Sequence, residues 1–463
     1  MDHLNLLKVI SGNKFTDSRG WFTESYNKRQ LAEQGIGVEF VQDNHSYSAC
    51  KGTLRGIHFQ KEPKAQSKLV RCTRGAILDV VVDLRKGSAT YKQWWSYKLS
   101  AENCKQLFIP KGFGHAFVTL EDDTEIQYKV DEYYSKEHDR SIRYDDPELA
   151  IDWQVKAPIL SEKDLAAPPL ADSDADFSIT VLVTGAQGQL GHDVLGQLEE
   201  RGIRGVGADI GDFDITDGGS TEAYINSLKP DVVVHCAAYT AVDMAEDERE
   251  LCRKVNVIGT ANIAESCKRI GAAMVYISTD YVFDGSGDRP WAEDETVSPL
   301  GIYGETKAEG ELAVRKTLDK HIIVRTSWVF GKNGSNFVKT MLRLGRERDK
   351  VRVVDDQVGA PTYTVDLARL VCDMLQTNRY GTYHATGEGW CSWASFAEKI
   401  FALTGVQATV VPVPSSEYQT KARRPLNSRL GKDRLDKNGF ERLPHWQDAL
   451  ERFLKELGEE VRA

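Results

Sequence analysis

The first 170 residues show a short-period pattern of apolar and polar positions. Runs rich in β-branched and aromatic residues are separated by Gly, Asp or Lys clusters, and helical periodicity is scarce apart from Lys28–Glu33. The runs predict strands at Lys68–Cys72, Ala76–Leu84, Gln106–Ile109, His115–Leu120 and Glu125–Val130. Many short strands with turns between them favour an all-β domain over residues 1–170, a sandwich or small barrel of the jelly-roll kind.

A different pattern begins at residue 179, where strand-like and helix-like segments alternate. Strands are predicted at Ile179–Thr184, Gly205–Asp209, Asp231–Ala237, Ala273–Ser278 and His321–Thr326. Helices are predicted at Leu190–Arg201, Glu248–Arg269, Tyr303–Thr317, Asn336–Glu347 and Asp366–Gln376. This alternation predicts an α/β domain over residues 179–463, a doubly wound parallel Rossmann sheet with a small substrate-binding subdomain. Residues 171–178 are predicted to be a linker, because they follow a Pro-Pro pair and are rich in acidic residues.

Composition and charge restrict the kind of protein this is. A chain of 463 residues is too long for one typical core, which agrees with a multidomain protein. The net charge of −10 argues against a nucleic-acid partner, which needs a basic face. Eight scattered cysteines without a CxxC pair are typical of reduced thiols, so we expect a cytoplasmic protein. The sequence shows neither a signal-peptide core nor an apolar run of membrane-spanning length, which predicts no membrane partner.

A glycine-rich turn follows the first strand of the α/β part. Gly185, Gly188 and Gly191 form a GxxGxxG pattern between a strand and a helix. Bare backbone at that position lets a pyrophosphate approach the outward-pointing N–H groups of a helix N-terminus. Asp209 ends the second strand, where an acidic residue can hold a ribose hydroxyl, and Asp212 competes for this contact. The pattern predicts a dinucleotide cofactor, NADPH or NADH, without deciding between the two.

A tyrosine and a lysine lie four residues apart in a predicted helix. Tyr303 and Lys307 therefore share one helix face, and a nearby cation is expected to lower the pKa of the tyrosine. Such a phenol can pass a proton to a carbonyl oxygen during hydride transfer. Thr279 follows a predicted strand and offers a hydroxyl beside the same carbonyl.

These stretches resemble the extended short-chain dehydrogenases/reductases and, within them, the dTDP-4-dehydrorhamnose reductases. The resemblance covers residues 179–460 and continues through Ser278–Gly285, Arg325–Phe330 and Arg424–Arg429. It implies that Tyr303 is the proton donor with Lys307 as its partner. It also implies that Thr279 and Asp280 touch cofactor or substrate, and that Trp328 lines the sugar pocket. The implied cofactor contacts are Gly185, Gly188, Gln189, Leu190, Gly191, Asp209, Asp212, Phe213, Ala238, Tyr239, Thr240 and Asp280.

The all-β part carries candidate acid–base groups without a metal-binding pattern. Cupin-like jelly rolls often bind a metal through an HxH pair, which is missing here, as are the usual zinc spacings. We therefore predict no metal and interpret the histidines as acid–base or anion-contacting groups. Removing a proton next to a ketone needs a base, a group that stabilises the oxyanion and, for inversion, an acid on the opposite face. His58, Lys68 and Tyr128 fit these three roles, and Arg19 and Arg55 fit a diphosphate.

Residues 5–170 resemble the dTDP-4-dehydrorhamnose 3,5-epimerases. The resemblance rests on stretches such as Asp17–Glu24, Leu54–Gln60 and Ile109–Phe117. It implies that His58 is the base, oriented by Asp164, that Tyr128 is the opposing acid and that Lys68 faces the ketone oxygen, with no cofactor. The implied nucleotide-sugar contacts are Arg19, Glu24, Gln42, Asn44, Arg55, His115 and Lys163. One departure is Asp139, which stands where a glutamate is common.

The two resemblances together imply a bifunctional enzyme that epimerises a dTDP-4-keto sugar and then reduces it. Both families commonly form dimers, which implies a homodimer. Two alternatives stay open. One is a related epimerase and reductase with another nucleotide or epimerisation at carbon 3 alone. The other is a non-catalytic regulatory protein that binds sugar nucleotides.

Overall fold

The chain forms two compact units in the computed structural model, which describes residues 6–418 and 420–462. The first unit spans Met1–Ser178 and the second spans Ile179–Ala463. Within the described ranges, no helix combines the length and the apolar character that crossing a bilayer requires.

Strands dominate the first unit. Its described strands are β1 (Lys8–Ser11), β2 (Phe15–Asp17), β3 (Gly20–Phe22), β4 (Gln42–Ser48), β5 (Leu54–Gln60), β6 (Lys68–Arg74), β7 (Ala76–Asp83), β8 (Trp94–Ser100), β9 (Lys105–Ile109), β10 (Phe113–Thr119), β11 (Thr124–Val130) and β12 (Asp139–Ser141). Its described helices are α1 (Lys28–Glu33) and α2 (Glu162–Leu165).

Two five-stranded antiparallel sheets carry most of these strands. One has the order β1-β9-β6-β11-β4 and the other has the order β12-β5-β10-β7-β8. Strands β7 and β10 are buried along their whole lengths, because most of their side chains are apolar. Strands β2 and β3 form a separate exposed hairpin. The jelly-roll description of this unit stays a prediction.

Residues 171–178 differ from the predicted linker because they pack against the first unit. Phe177 is buried in the same hydrophobic cluster as Phe59, with the two ring centroids 5.7 Å apart. The backbone N–H of Lys86 donates a hydrogen bond to the carbonyl oxygen of Phe177. Asp174 accepts hydrogen bonds from Arg140 and Lys61. One large apolar anchor and paired acidic side chains are therefore enough to fix a segment of low apolar content.

Strands and helices alternate in the second unit. Its described strands are β13 (Thr180–Thr184), β14 (Arg204–Ala208), β15 (Val232–His235), β16 (Ala273–Thr279), β17 (His321–Thr326), β18 (Val329–Phe330), β19 (Lys350–Val354), β20 (Val358–Gly359), β21 (Thr362–Tyr363), β22 (Gly381–His384), β23 (Cys391–Ser392), β24 (Thr409–Val413) and β25 (Asn427–Ser428). Its described helices are α3 (Gln189–Glu200), α4 (Gly218–Leu228), α5 (Val242–Ala245), α6 (Arg249–Arg253), α7 (Thr260–Ile270), α8 (Ile302–Thr317), α9 (Phe337–Glu347), α10 (Thr364–Leu375), α11 (Trp393–Thr404), α12 (Asp433–Lys437) and α13 (Trp446–Glu456).

A six-stranded sheet of order β14-β13-β15-β16-β17-β22 forms the centre of the second unit. All its strand pairs are parallel, which confirms the predicted parallel Rossmann sheet. The strand order reverses at β13, so the carboxyl ends of β13 and β15 border the crevice where such sheets bind ligands. A second hydrophobic cluster joins α9, α11 and α13 and contains Val338, Phe396 and Phe453. The helix predicted at Glu248–Arg269 is interrupted by a π-helical turn at Lys254–Gly259.

Candidate active sites

A histidine–aspartate pair lies in the first unit. The Nε2 atom of His58 on β5 lies 2.5 Å from Oδ1 of Asp164 on α2. Ser161 caps this helix, and its hydroxyl donates a hydrogen bond to the other oxygen of Asp164. Burial raises the pKa of Asp164, but the hydrogen bonds from His58 and Ser161 outweigh it and leave the pKa below its ordinary value. Asp164 is therefore ionised and holds a proton on Nε2, which leaves Nδ1 of His58 free to act as a base.

A second, fully buried pair lies beside the first. His115 on β10 is the register partner of His58, and its Nε2 atom lies 2.6 Å from Oδ1 of Asp79. Burial lowers the pKa of His115; Asp79 opposes this shift, whereas Lys68 and His58 add to it. These electrostatic interactions show that the four side chains lie close together. Sequence reasoning gave Asp79 no role, although an acid in the middle of the apolar strand β7 was a usable signal.

Lys68 and Tyr128 project from the other sheet of the first unit. Lys68 on β6 is the partner of Val130 on β11, and Tyr128 lies two residues before Val130, so both side chains leave the same face. Burial lowers the pKa of Lys68 to about 8, and Asp79 and Asp139 oppose this shift. Burial raises the pKa of Tyr128, which keeps the phenol protonated as an acid requires. Because Asp79 acts on both Lys68 and His115, and His58 and Lys68 both act on His115, the lysine and the two histidines lie close to one another.

The predicted nucleotide-sugar contacts of the first unit make the following hydrogen bonds and electrostatic contacts. Lys163 donates a 2.6 Å hydrogen bond to Asp139, so the aspartate that replaces the common glutamate still carries an ion pair. Arg55 lowers the pKa of Tyr128 and is therefore close to it. The remaining contacts make local hydrogen bonds, which are Arg19 with Asp17, Glu24 with Asn27 and Gln30, and Gln42 with Asn44. Across residues 6–418 and 420–462, no group of three or more His, Cys, Asp and Glu side chains is arranged to hold a metal.

A cleft of about 1220 Å³ lies at the carboxyl ends of the strands in the second unit. Its glycine turn is tight: Gly185 has φ +69°, and a Cβ on Gly191 would overlap the carbonyl oxygen of Gly185. A Cβ on Gly185 would lie 2.7 Å from the backbone nitrogen of Ala237. Gly188 is the N-cap of α3 and has no side-chain cap, so the first N–H groups of this helix face the cleft. This cradle of bare backbone fits the pyrophosphate of a dinucleotide.

Most of the predicted cofactor contacts line this cleft, and two do not. The lining residues among them are Gly185, Gly188, Gln189, Leu190, Gly191, Asp209, Phe213, Ala238, Thr240 and Asp280. Asp212 instead accepts a hydrogen bond from the backbone N–H of Asp209. Tyr239 points elsewhere, since its hydroxyl donates to Glu248 and its backbone is held on both sides by Asn256 of the π-helical turn. Alternation along an extended segment explains why Tyr239 leaves the cleft while its two neighbours line it.

Tyr303, Lys307 and Thr279 meet at the far end of the cleft. The prediction that Lys307 lowers the pKa of Tyr303 is wrong for this arrangement, because burial raises the tyrosine pKa and a hydrogen bond with Thr279 only partly opposes the shift. The ammonium of Lys307 is turned away from Tyr303. It donates a 2.6 Å hydrogen bond to the carbonyl oxygen of Ile277 and lies over the ring of Tyr276. Burial lowers the pKa of Lys307 to about 7. Tyr303 is therefore a protonated phenol, which is the form that a proton donor needs.

Trp328 forms part of the wall between this cleft and a second cavity of about 720 Å³. Its backbone has φ +49°, and its indole stacks on Trp393 with ring centroids 3.6 Å apart. A Cβ on Gly359 would lie 2.7 Å from the indole on Trp328, so that residue must be small. The second cavity also contains Arg352 and Arg424. Sequence reasoning missed Trp393, which lies 65 residues after Trp328 and carries no local signal.

The second unit thus combines a phosphate-binding turn, a protonated tyrosine and a buried lysine in one cleft of a Rossmann sheet. These features define an oxidoreductase that uses a dinucleotide cofactor. The first unit combines a histidine–aspartate pair, a buried lysine and a protonated phenol on its two sheets.

Comparison with known proteins places both units. The family model of the RmlD substrate binding domain matches residues 179–459, and the chain belongs to this family. The model of dTDP-4-dehydrorhamnose 3,5-epimerase matches residues 3–172. The chain is therefore a fusion of an epimerase unit and a reductase unit.

Three relatives illustrate the match. The dTDP-4-dehydrorhamnose reductase of Streptomyces griseus is 44% identical over 276 residues, which cover 58% of this chain and 91% of the relative. A solved dTDP-4-dehydrorhamnose reductase from Bacillus anthracis, in complex with NADP, is 42% identical with a TM-score of 0.59 and covers 60% of this chain and 99% of its own. A solved dTDP-4-dehydrorhamnose 3,5-epimerase from Bacillus anthracis is 54% identical with a TM-score of 0.36 and covers 36% of this chain and 96% of its own.

Proposed function

We propose that this chain performs two consecutive steps of dTDP-L-rhamnose synthesis. The first unit converts dTDP-4-dehydro-6-deoxy-D-glucose to dTDP-4-dehydro-L-rhamnose by epimerisation at carbons 3 and 5. The second unit reduces the 4-keto group of that product. The observation that carries the proposal is that one chain holds both the His58–Asp164 pair with Lys68 and Tyr128, and the Tyr303–Lys307 helix beside a glycine turn.

Epimerisation follows from proton transfers on opposite faces of the sugar. Nδ1 of His58 removes a proton from the carbon next to the ketone, and the Lys68 ammonium stabilises the negative charge that develops on the ketone oxygen. Tyr128 then donates a proton from the opposite face, which inverts the carbon. Since carbons 3 and 5 both flank the ketone, one set of groups serves both. This unit needs no cofactor, because the reaction moves protons and no net electrons.

The reduction step takes place in the cleft of the second unit that carries the glycine turn. When bound, NADPH supplies hydride to the carbonyl carbon. Tyr303 donates its proton to the carbonyl oxygen, Thr279 hydrogen bonds beside it, and the glycine turn holds the pyrophosphate. We propose NADPH over NADH because the Bacillus anthracis relative is described in complex with NADP. Reduction removes the acidity that permits epimerisation, so the second step traps the product of the first.

The nucleotide of the substrate is assigned to charged groups around each pocket. In the second unit, Arg352 and Arg424 of the second cavity would hold the diphosphate, with Trp328 against the sugar. In the first unit, Arg19 and Arg55 would hold the diphosphate. The proposed contacts of the whole nucleotide sugar there are Arg19, Glu24, Gln42, Asn44, Arg55, His115 and Lys163. We also propose a cytoplasmic homodimer, and the eight free cysteines of the chain suit a reducing compartment.

Product NMR after incubation with dTDP-4-keto-6-deoxyglucose and NADPH tests the proposal, with dTDP-L-rhamnose as the expected product. Tyr303→Phe should stop NADPH oxidation and leave solvent-deuterium exchange into the keto sugar intact. His58→Ala should stop the exchange and leave reduction of pre-epimerised substrate intact. Loss of both activities in either folded variant would contradict the two-site assignment. Binding of the keto sugar without any NADPH oxidation would instead favour the regulatory alternative.

A further inference from the structure

Asp280 is a buried acid whose carboxylate is only partly satisfied. It follows β16 directly, its side chain is 3% exposed, and it lines the cofactor cleft. Its Oδ1 atom accepts a 3.0 Å hydrogen bond from the hydroxyl of Thr279. Its Oδ2 atom makes no hydrogen bond of good geometry with a described group, although the Ser428 hydroxyl is close enough to the carboxyl to lower its pKa. A buried polar atom without a partner is rare and is concentrated at functional sites, so it calls for an explanation.

After the reduction step, Tyr303 has lost its phenolic proton. Once its proton has moved to the sugar, the residue is a phenolate in a site whose burial raises the tyrosine pKa and so disfavours the charged form. Lys307 is not aimed at it, since the ammonium hydrogen bonds to the carbonyl oxygen of Ile277. Thr279 hydrogen bonds with Tyr303 and with Asp280, and it therefore connects the phenol to a carboxyl group.

We propose that Asp280 is a relay residue that returns a proton to Tyr303 through the Thr279 hydroxyl after each reduction. As the Tyr303 O–H bond breaks, an O–H bond forms on the sugar. The Thr279 proton then moves to the phenolate oxygen, and the Asp280 carboxyl proton replaces it on Thr279. The resulting Asp280 carboxylate takes a proton from water that enters the cleft. This inference rests on the proposed reductase activity.

The surroundings of Asp280 make such a role feasible near neutral pH. Burial raises the pKa of Asp280 to about 6, and the hydroxyls of Ser428 and Thr279 oppose the shift. Tyr281 and Tyr303 also face it, and the charge of Asp280 raises the pKa of both. The carboxylic acid is therefore populated at and below pH 6 and declines above it, so relay-limited turnover should fall as pH rises through that value.

Stopped-flow measurement of NADPH oxidation by the full-length chain, with the keto sugar as substrate, tests the relay. Asp280→Asn keeps the shape but cannot deliver a proton. We expect its first turnover to proceed at the rate of the unsubstituted chain, because Tyr303 starts protonated. Later turnovers should be about a hundredfold slower and independent of pH around 6. Asp280→Glu should restore part of the steady-state rate.

Three controls keep the outcome interpretable. Epimerase activity should be unchanged in Asp280→Asn, which shows that the variant folds, and NADPH is supplied at saturation, as set by titration of each variant, because Asp280 lines the cofactor cleft. Ser428→Ala removes a hydroxyl that lowers the pKa of Asp280, so the fall in turnover should move to higher pH even if Asp280→Asn does not fold. An equal slowing of the first and later turnovers, or an unchanged pH profile in both variants, would overturn the relay. Absence of NADPH oxidation by the unsubstituted chain would instead refute the reductase function.

Discussion

The two active sites each contain a buried lysine, and the two lysines are held differently. Lys68 has Asp79 and Asp139 close enough to oppose the burial that lowers its pKa, which settles at about 8. Lys307 has Glu311 as its main opposing charge, and its pKa falls further, to about 7. Glu311 already accepts hydrogen bonds from Arg325 and Arg315. Two carboxylates thus oppose the burial of Lys68, whereas a single carboxylate is the main group that opposes the burial of Lys307.

The two sites also differ in how many of their charged groups have a counter-charge before a ligand binds. The first site carries its own counter-charges, since His58, His115 and Lys68 all have resident carboxylates nearby. The second site has a turn of bare backbone and an ammonium bonded to a neutral carbonyl. We infer that the first site is arranged before substrate arrives, whereas the second is completed by its dinucleotide.

The largest expected effect comes from Asp164→Asn, which tests whether the resident carboxylates matter. An amide has a single acceptor oxygen and cannot accept from both His58 and Ser161 as the carboxylate does. The proton on His58 should shift to the wrong ring nitrogen, and deuterium exchange into the keto sugar should fall about a thousandfold. Asp174→Asn on the surface of the same unit is the matched control. If the exchange rate of Asp164→Asn stays within threefold of the unsubstituted rate, the resident carboxylate is not needed to orient His58.

A smaller effect is expected from Gly191→Ala, which tests the dependence of the second site on its cofactor. The added methyl group overlaps the carbonyl oxygen of Gly185 and displaces the turn, so NADPH should bind about a hundredfold more weakly by fluorescence titration. Gly196→Ala on the same helix is the control, because its Cβ would meet no atom within 4 Å. Equal NADPH affinity in both variants would show that the turn does not hold the cofactor. Epimerase activity should be unchanged in both.

The smallest expected effect is a pH dependence of deuterium exchange, which tests whether the charge of the buried Lys68 is needed in the first site. The pKa of Lys68 is lowered to about 8, so its cation is present below that pH and is lost as pH rises. Deuterium exchange should therefore decrease about tenfold for each pH unit above 8 if the charge is essential. Lys68→Arg, whose guanidinium stays charged, should flatten this decrease at whatever rate it retains. A decrease that persists unchanged in Lys68→Arg would assign the titration to another group.

Much of the fold follows from local pattern. The helix at Lys28–Glu33 has the predicted bounds, and five of the six strands of the parallel sheet lie within a few residues of their predictions. The sixth strand, β22, was not predicted. The segment at residues 171–178 does not follow from pattern, because burial of Phe177 depends on a partner more than 100 residues away, Phe59. The π-helical turn in the predicted Glu248–Arg269 helix is likewise set by contacts that periodicity does not show.

The sequence likewise predicted some features of the two candidate sites and not others. Motif spacing brought Tyr303, Lys307 and Thr279 into one cleft, and resemblance paired His58 with Asp164. The spacing of the motif could not give the direction in which the pKa of Tyr303 is shifted. It depends on burial and on where the Lys307 ammonium points, and both are properties of the folded chain. Trp393 was missed for the same reason, since only tertiary packing brings it against Trp328.

The junction between the units has a consequence for synthesis of the protein. Phe177 is buried in the hydrophobic cluster of the first unit that also contains Phe59, and Ile179 is buried in a cluster of the second unit, with only Ser178 between them. Domains tend to fold in order as they leave the ribosome. The cluster around Phe59 is complete only when residue 177 has emerged, and the next residues to appear already belong to the second unit. Nascent chains halted just before residue 177 should therefore be cleaved by proteases faster than chains halted after it.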